Sequence, residues 1–157
     1  MNLHNELKHF RSEHDGILRF LDDWEAALAL AGNSDPDARR KGIVRLVELD
    51  DTLAEIRAHY SEDEESIESS FRIYLDEAAL HQLHNEHNLL NLLTDFFRDG
   101  LGRIFTPPPA TSLCVVGRCL LEQLRHHVAN EEGLLKQIEN GSSAGERAFL
   151  RTSPTVE

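Results

Sequence analysis

The chain of 157 residues, 40% hydrophobic and 28% charged, is long enough for one globular domain that buries about two-thirds of its unfolded surface. Its formal net charge of −12 argues against nucleic acid as a partner, because DNA binding depends on Lys and Arg neutralising phosphates. No run approaches the roughly 20 apolar residues of a membrane span, and the segment MNLHNELKHFRSEHD lacks the apolar centre of a signal peptide, so we expect a cytoplasmic protein without membrane partners.

Apolar residues recur at three- and four-residue steps through most of the chain, which predicts helices and no strands. The first helix should begin near Leu3 and end before Gly32, a common stop signal. Ser34-Asp35-Pro36 then supplies cap residues and a first-turn proline for a second helix. The apolar steps predict that this second helix continues to about Ser70.

The second half of the chain predicts two more helices. Residues 71–75 should form a connection, and Asp76 should cap a third helix that ends near Gly100. Three prolines at 107–109 fit only a loop or a helix start. The fourth helix should end at Asn140-Gly141.

Four amphipathic helices with short links predict an all-α fold, an antiparallel up-down-up-down four-helix bundle over residues 1–140. Residues 141–157, which begin Gly-Ser-Ser, should form a flexible C-terminal tail. The predicted core consists of Leu3, Leu7, Phe10, Ile17, Leu21, Trp24, Leu28, Ile43, Leu46, Leu49, Leu53, Ile56, Ile67, Leu80, Leu83, Leu90, Phe97, Leu113, Leu120, Leu124, Leu134 and Ile138.

Polar residues of metal-ligating types interrupt the apolar seams of all four predicted helices. A His and a carboxylate four residues apart share one helix face and can point to one place. A buried carboxylate costs several kcal/mol unless it is paired or metal-bound, so one shared metal site explains these interruptions better than separate defects. The interruptions are His14 on the first helix, His87 on the third, and His127 and Glu131 on the fourth. On the second helix, His59 and Asp63 lie four residues apart and flank the apolar line.

The predicted helix lengths place all these candidates in one layer. At about 1.5 Å per residue, they lie roughly 14 to 17 Å from the four helix ends that an up-down bundle brings together. A single buried histidine is more often a hydrogen-bonded core residue, but four histidines and two carboxylates at one level favour metal. Nitrogen and oxygen donors without thiolate favour iron, manganese or zinc, and two bridging carboxylates favour a dinuclear centre.

The segments EHDGILRFL, HYSEDEESI, NEHNLLNLL and HHVANEEGLL resemble the four ligand-bearing helices of the hemerythrin-like, HHE cation-binding family. The resemblance covers about residues 3–140, and His-x-x-x-Glu-Glu in HVANEE is its most specific part. It implies a pair of non-haem iron ions bridged by two carboxylates. The residues it implies as ligands are Asp63 and Glu131 as the bridges and His14, His59, His87 and His127 as the terminal ligands.

Two positions depart from the family pattern. Asp63 stands where the family has Glu, and Glu64 could compensate for its shorter side chain. Oxygen-carrying members have a further histidine on the third helix, four residues before the ligand, where this chain has Leu83. His84 could be that fifth histidine ligand, or it could form a solvated polar face together with His81.

The resemblance implies a di-iron protein that binds or senses a small diatomic molecule, O2 or NO, rather than an enzyme. The sequence contains no nucleophile elbow and no Gly-rich phosphate loop. Two alternatives remain open. One is a di-iron oxidoreductase or an enzyme of the iron–sulfur repair type, and the other is an iron-handling or iron-sensing protein that acts through a protein partner.

Overall fold

A computed structural model describes the backbone of residues 3–66, 72–103 and 110–152, and the side chains of residues 4–59, 72, 74–103 and 112–141. The regular structure of these residues is helical, without a β-strand, so the predicted all-α class is confirmed for them. None of these helices combines the length and the apolarity that crossing a bilayer requires. The helices are α1 at Leu3–Ala31, α2 at Pro36–Glu48, α3 at Asp50–Ser66, α4 at Glu77–Gly102 and α5 at Ala110–Thr152, with a 3-10 turn at Arg72–Tyr74.

Local sequence signals determine where two of the helices begin. The backbone N–H of Asp37 donates to the Asp35 carboxylate at 3.2 Å, and Pro36 is the first residue of α2. The backbone N–H of Ala79 donates to the Asp76 carboxylate at 2.7 Å at the start of α4. Each carboxylate thus satisfies one of the N–H groups that a helix start leaves without an intrahelical partner. Both predicted caps are confirmed.

The predicted second helix is in fact two helices, α2 and α3, which meet at Leu49. This residue ends α2 as its C-cap and is itself buried. Asp50 and Asp51 follow at once and form the first turn of α3, where carboxylates interact favourably with the helix dipole. The prediction of one helix was wrong here because the apolar steps continue unchanged across the break. Its continuation through residues 67–70 lies outside the described residues.

Helix α5 continues past Asn140-Gly141 to Thr152, so the predicted helix end at that position was wrong. One glycine inside a helix costs about 1 kcal/mol relative to alanine, which weakens a helix without terminating it. The following AGERAFL contains several strong helix formers that offset this cost. The flexibility expected of residues 141–157 stays a prediction.

The helices pack around two apolar clusters. Helix α1 packs against α2 and α5, and α4 packs against α3 and α5. The larger cluster is centred on Trp24, whose ring meets that of Phe97 edge-on with the ring centres 5.0 Å apart. The smaller cluster consists of Leu7, Phe10, Leu83, Leu135 and Ile138. Most of the predicted core is confirmed, but the predicted Ile43, Leu80 and Leu134 are only partly buried, and near the end of α5 Leu135 is buried instead. The side chains of the predicted core residues Leu3 and Ile67 lie outside the described residues.

Candidate metal centre

Three histidines and one glutamate interrupt the core between the two apolar clusters. Each of these four residues is at most 3% exposed. Along α5, His127 and Glu131 fall between Leu124 of the larger cluster and Leu135 of the smaller one. The structure therefore brings together four of the residues that the sequence predicted as ligands. They are His14 of α1, His87 of α4, and His127 and Glu131 of α5.

Glu131 lies at the centre of this group. Its Oε2 atom is 3.0 Å from Nε2 of His14 and 3.3 Å from Nε2 of His127. Its Oε1 atom is 3.7 Å from Nε2 of His87, which is beyond hydrogen-bond distance. The Nε2 atoms of His87 and His127 are 3.3 Å apart. In all three imidazoles, Nε2 is therefore the ring nitrogen that faces the Glu131 carboxylate.

This set of donor atoms fits a metal ion. Two donors bound to one ion at about 2.1 Å are roughly 3.0 to 3.4 Å apart at octahedral or tetrahedral angles. Ligand atoms of His87, His127 and Glu131 all lie within 4.8 Å of one another. The buried Oε1 atom of Glu131 has no hydrogen-bond partner among the described residues, and a bound cation would satisfy it. Imidazole nitrogen and carboxylate oxygen without thiolate suit iron, manganese or zinc.

The pKa values of His14 and Glu131 are shifted by their shared environment. Burial on its own lowers the pKa of His14, but hydrogen bonds to Glu131 and Glu132 outweigh it and raise that pKa to about 9. Burial on its own raises the pKa of Glu131, but the surrounding histidines outweigh it and lower that pKa to about 2. The metal-free protein therefore holds an imidazolium–carboxylate pair at neutral pH. A metal ion would replace the proton between these two residues.

Two further glutamates contact the opposite ring nitrogens of the buried histidines. Oε1 of Glu132 lies 2.8 Å from Nδ1 of His14, and Oε2 of Glu86 lies 3.1 Å from Nδ1 of His127. The sequence analysis missed both roles, because a charged residue beside an apolar seam is ordinary on a helix surface. The available signal was their position, since each glutamate is adjacent in sequence to one of the buried ligands.

Comparison of the chain with protein-family models, with curated proteins and with solved structures finds no match. The resemblance to the hemerythrin-like family therefore rests on the four segments of the sequence that contain the predicted ligands. The buried group of three histidines and one glutamate contains one residue or more from three of those segments.

The fourth segment, on α3, contributes His59 at the edge of the group. The His59 side chain is 13% exposed, and its ring centre lies 6.4 Å from that of His14. The side chains of Asp63 and Glu64 lie outside the described residues, so the second predicted bridge stays a prediction. A groove of about 500 Å³ separates α1 from α3 beside His59 and is lined by Gly16, Ile17, Phe20 and Ile56, among others.

His84 is exposed on α4, so the structure does not bring this predicted fifth histidine ligand into the buried group. The reason is geometric, because three residues rotate a helix position by about 300° and leave His84 roughly 60° away from His87. His81 is exposed as well. The alternative of a solvated polar face thus agrees better with the structure, and a ligand role for His84 stays a prediction.

Proposed function

We propose that this chain is a non-haem di-iron protein of the hemerythrin-like type, which binds or senses O2 or NO at a buried iron pair. The observation that carries the proposal is the convergence of the Nε2 atoms of His14, His87 and His127 on the Glu131 carboxylate. Iron bound there would supply an open coordination position for a diatomic ligand. The proposal includes the antiparallel up-down-up-down arrangement of a four-helix bundle, with α2 and α3 together in the place of its second helix.

The position of the Glu131 carboxylate supports the proposed bridging role. Its two oxygens face different histidines, because Oε2 is directed at His14 and His127 whereas Oε1 is directed at His87. The ring of His59 lies next to that of His14, and Asp63 follows His59 by four residues on α3, a spacing at which two side chains share one helix face. We therefore propose His59 and Asp63 as the ligands that α3 contributes.

The surroundings of the site favour binding of a small neutral molecule. Apolar clusters lie on both sides of the buried group and limit the access of water to it. The groove between α1 and α3 has Ile17, Phe20 and Ile56 in its lining and reaches His59. The lining of this groove also includes Glu13, Thr52 and Glu55, and its apolar part suits O2 or NO better than an anionic substrate. Cytoplasmic location, the absence of nucleic-acid partners and a possible protein partner stay predictions from the sequence.

Gas titration of the iron-loaded protein tests this function. Reduced protein should change its optical spectrum when O2 or NO is added, and the spectrum should return when the gas is removed. His127→Ala should abolish the response because it removes a ligand. An iron-loaded protein whose spectrum responds to neither gas would overturn the proposed ligand, and continuous consumption of either gas would favour the enzyme alternative.

A further inference from the structure

Three glutamates around the buried group share one relationship. Each is adjacent in sequence to a predicted ligand of its own helix, and each has a carboxylate oxygen 3.8 Å or less from Nδ1 of a histidine on another helix. Glu86 of α4 lies 3.1 Å from His127 of α5, Glu132 of α5 lies 2.8 Å from His14 of α1, and Glu13 of α1 lies 3.8 Å from His59 of α3.

Helix geometry explains why one of two sequence neighbours faces the buried group while the other contacts a histidine on another helix. Consecutive residues point about 100° apart around a helix. When His87 faces the core, Glu86 faces the flank of α4, where α5 packs. The same holds for Glu131 and Glu132 on α5, whose flank meets α1.

The contacts determine which ring nitrogen of each histidine faces inwards. A neutral imidazole has one N–H donor and one lone pair. When the Nδ1–H of His127 donates to Glu86, the lone pair remains on Nε2, which points at Glu131 and at the Nε2 atom of His87. Metal-ligating histidines commonly have such a carboxylate partner, which holds the ring and raises its basicity.

The carboxylate of Glu86 is itself held in place. Its Oε1 atom accepts hydrogen bonds from the side-chain amides of Asn130 at 2.7 Å and Gln82 at 2.9 Å. Its side chain is 15% exposed, compared with 29% for Glu132. Both glutamates therefore lie at the boundary between the core and the surface, where an ionised carboxylate keeps part of its hydration.

We propose that Glu86 and Glu132 are positioning residues that act across helices. Each holds the ring of a histidine on the neighbouring helix so that its Nε2 atom is directed at the metal position. Glu13 has the same placement beside His59 but lies beyond hydrogen-bond distance. The part of this proposal that concerns metal affinity rests on the proposed function. The orientation of the histidine rings is a property of the metal-free protein and can be tested without it.

Nuclear magnetic resonance of the imidazole nitrogens in the metal-free protein is the primary test. Glu86→Ala should change the 15N shifts of the two ring nitrogens of His127 on α5 and leave those of His14 unchanged. Glu132→Ala should do the reverse, changing His14 on α1 and leaving His127 unchanged. This crossed pattern is expected only if each glutamate acts on the neighbouring helix. Equal changes at both histidines in both variants, or no change in either, would overturn the proposal.

Metal affinity, measured by competition with a chelator, is the second readout. Glu86→Ala should weaken metal binding by about 10- to 100-fold. Glu86→Gln should recover most of this loss, because its amide oxygen still accepts a hydrogen bond from Nδ1–H. Asp15→Ala is the matched control for Glu132→Ala, since Asp15 is adjacent to His14 in sequence but exposed, and it should leave the affinity unchanged.

Two outcomes distinguish a failure of the positioning role from a failure of the proposed function. If Glu86→Gln binds metal as weakly as Glu86→Ala, the negative charge matters rather than the hydrogen bond, and the positioning role is wrong. If the unmodified protein binds no metal while the crossed nuclear magnetic resonance pattern is present, the positioning role holds and the proposed function fails.

Discussion

Glu131 is ionised in an apolar interior because imidazole nitrogens of two other helices and of its own lie around it. Removing the carboxylate would leave the His14 imidazolium buried without its Nε2 acceptor. Removing one partner of a buried ion pair typically lowers the free energy of unfolding by about 3 to 5 kcal/mol. This single residue thus contributes both to the stability of the metal-free fold and to the proposed metal site.

We therefore expect Glu131→Ala to lower the free energy of unfolding of the metal-free protein by roughly 3 kcal/mol. The measurement is chemical denaturation after treatment with a chelator. Glu122→Ala, which removes an exposed carboxylate from the same helix, is the control and should change stability by less than about 0.5 kcal/mol. Equal effects of the two substitutions would show that the buried pair does not stabilise the fold.

The pH dependence of the metal-free protein follows from the same pair. The pKa of His14 is raised from 6.5 to about 9, so its contribution to stability is complete below pH 6.5 and is lost as the pH rises through 9. The pKa of Glu131 is lowered from 4.5 to about 2, so its contribution is present above pH 4.5 and is lost as the pH falls through 2. Denaturation of metal-free protein should therefore show higher stability at about pH 5.5 than at about pH 9.5. The opposite order would contradict the assignment of this pair.

At the scale of the helices, apolar periodicity and caps sufficed to predict where α1 and α4 lie. The break at Leu49 could not be predicted, because its neighbours Leu46 and Leu53 keep the apolar steps intact on both sides. The buried candidate ligands could be predicted since each interrupts an apolar seam. The roles of Glu86 and Glu132 could not, because they depend on which helix packs against each flank.

The groove between α1 and α3 leads to a prediction about ligand access. A side chain added at Gly16 would find no atom within 4 Å of its Cβ, and Gly102, the last residue of α4, has the same free space. Gly16→Leu should slow the association of NO with the iron-loaded protein several-fold without changing its iron content, because leucine fits the helix and fills the groove. Gly102→Leu is the matched control and should leave the rate unchanged in stopped-flow measurements. Equal rates in both variants would show that the ligand enters elsewhere.

Across the whole molecule, the buried polar group lies between two apolar clusters and links α1, α4 and α5. A metal bound to these helices would stabilise the fold by about 4 kcal/mol at a thousandfold excess over its dissociation constant. In a domain of this size that corresponds to a rise in Tm of roughly 10 °C. Calorimetry should show this difference between loaded and chelator-treated protein, and His127→Ala should be insensitive to the chelator. A Tm that the chelator leaves unchanged in the unmodified protein would contradict metal binding at this position.

Metal analysis of the purified protein tests the proposed di-iron site directly. The adjacent residues His126 and His127 provide a matched pair of variants. His126 is exposed and next to His127 in sequence, but its Nδ1 atom lies 3.0 Å from the Asn130 amide nitrogen instead of facing the buried group. We expect about two iron ions per chain in the unmodified protein and in His126→Ala, and the loss of both ions together in His127→Ala. A chain that contains no metal after both aerobic and anaerobic purification, or a His127→Ala variant that retains two ions, would contradict the proposed di-iron site.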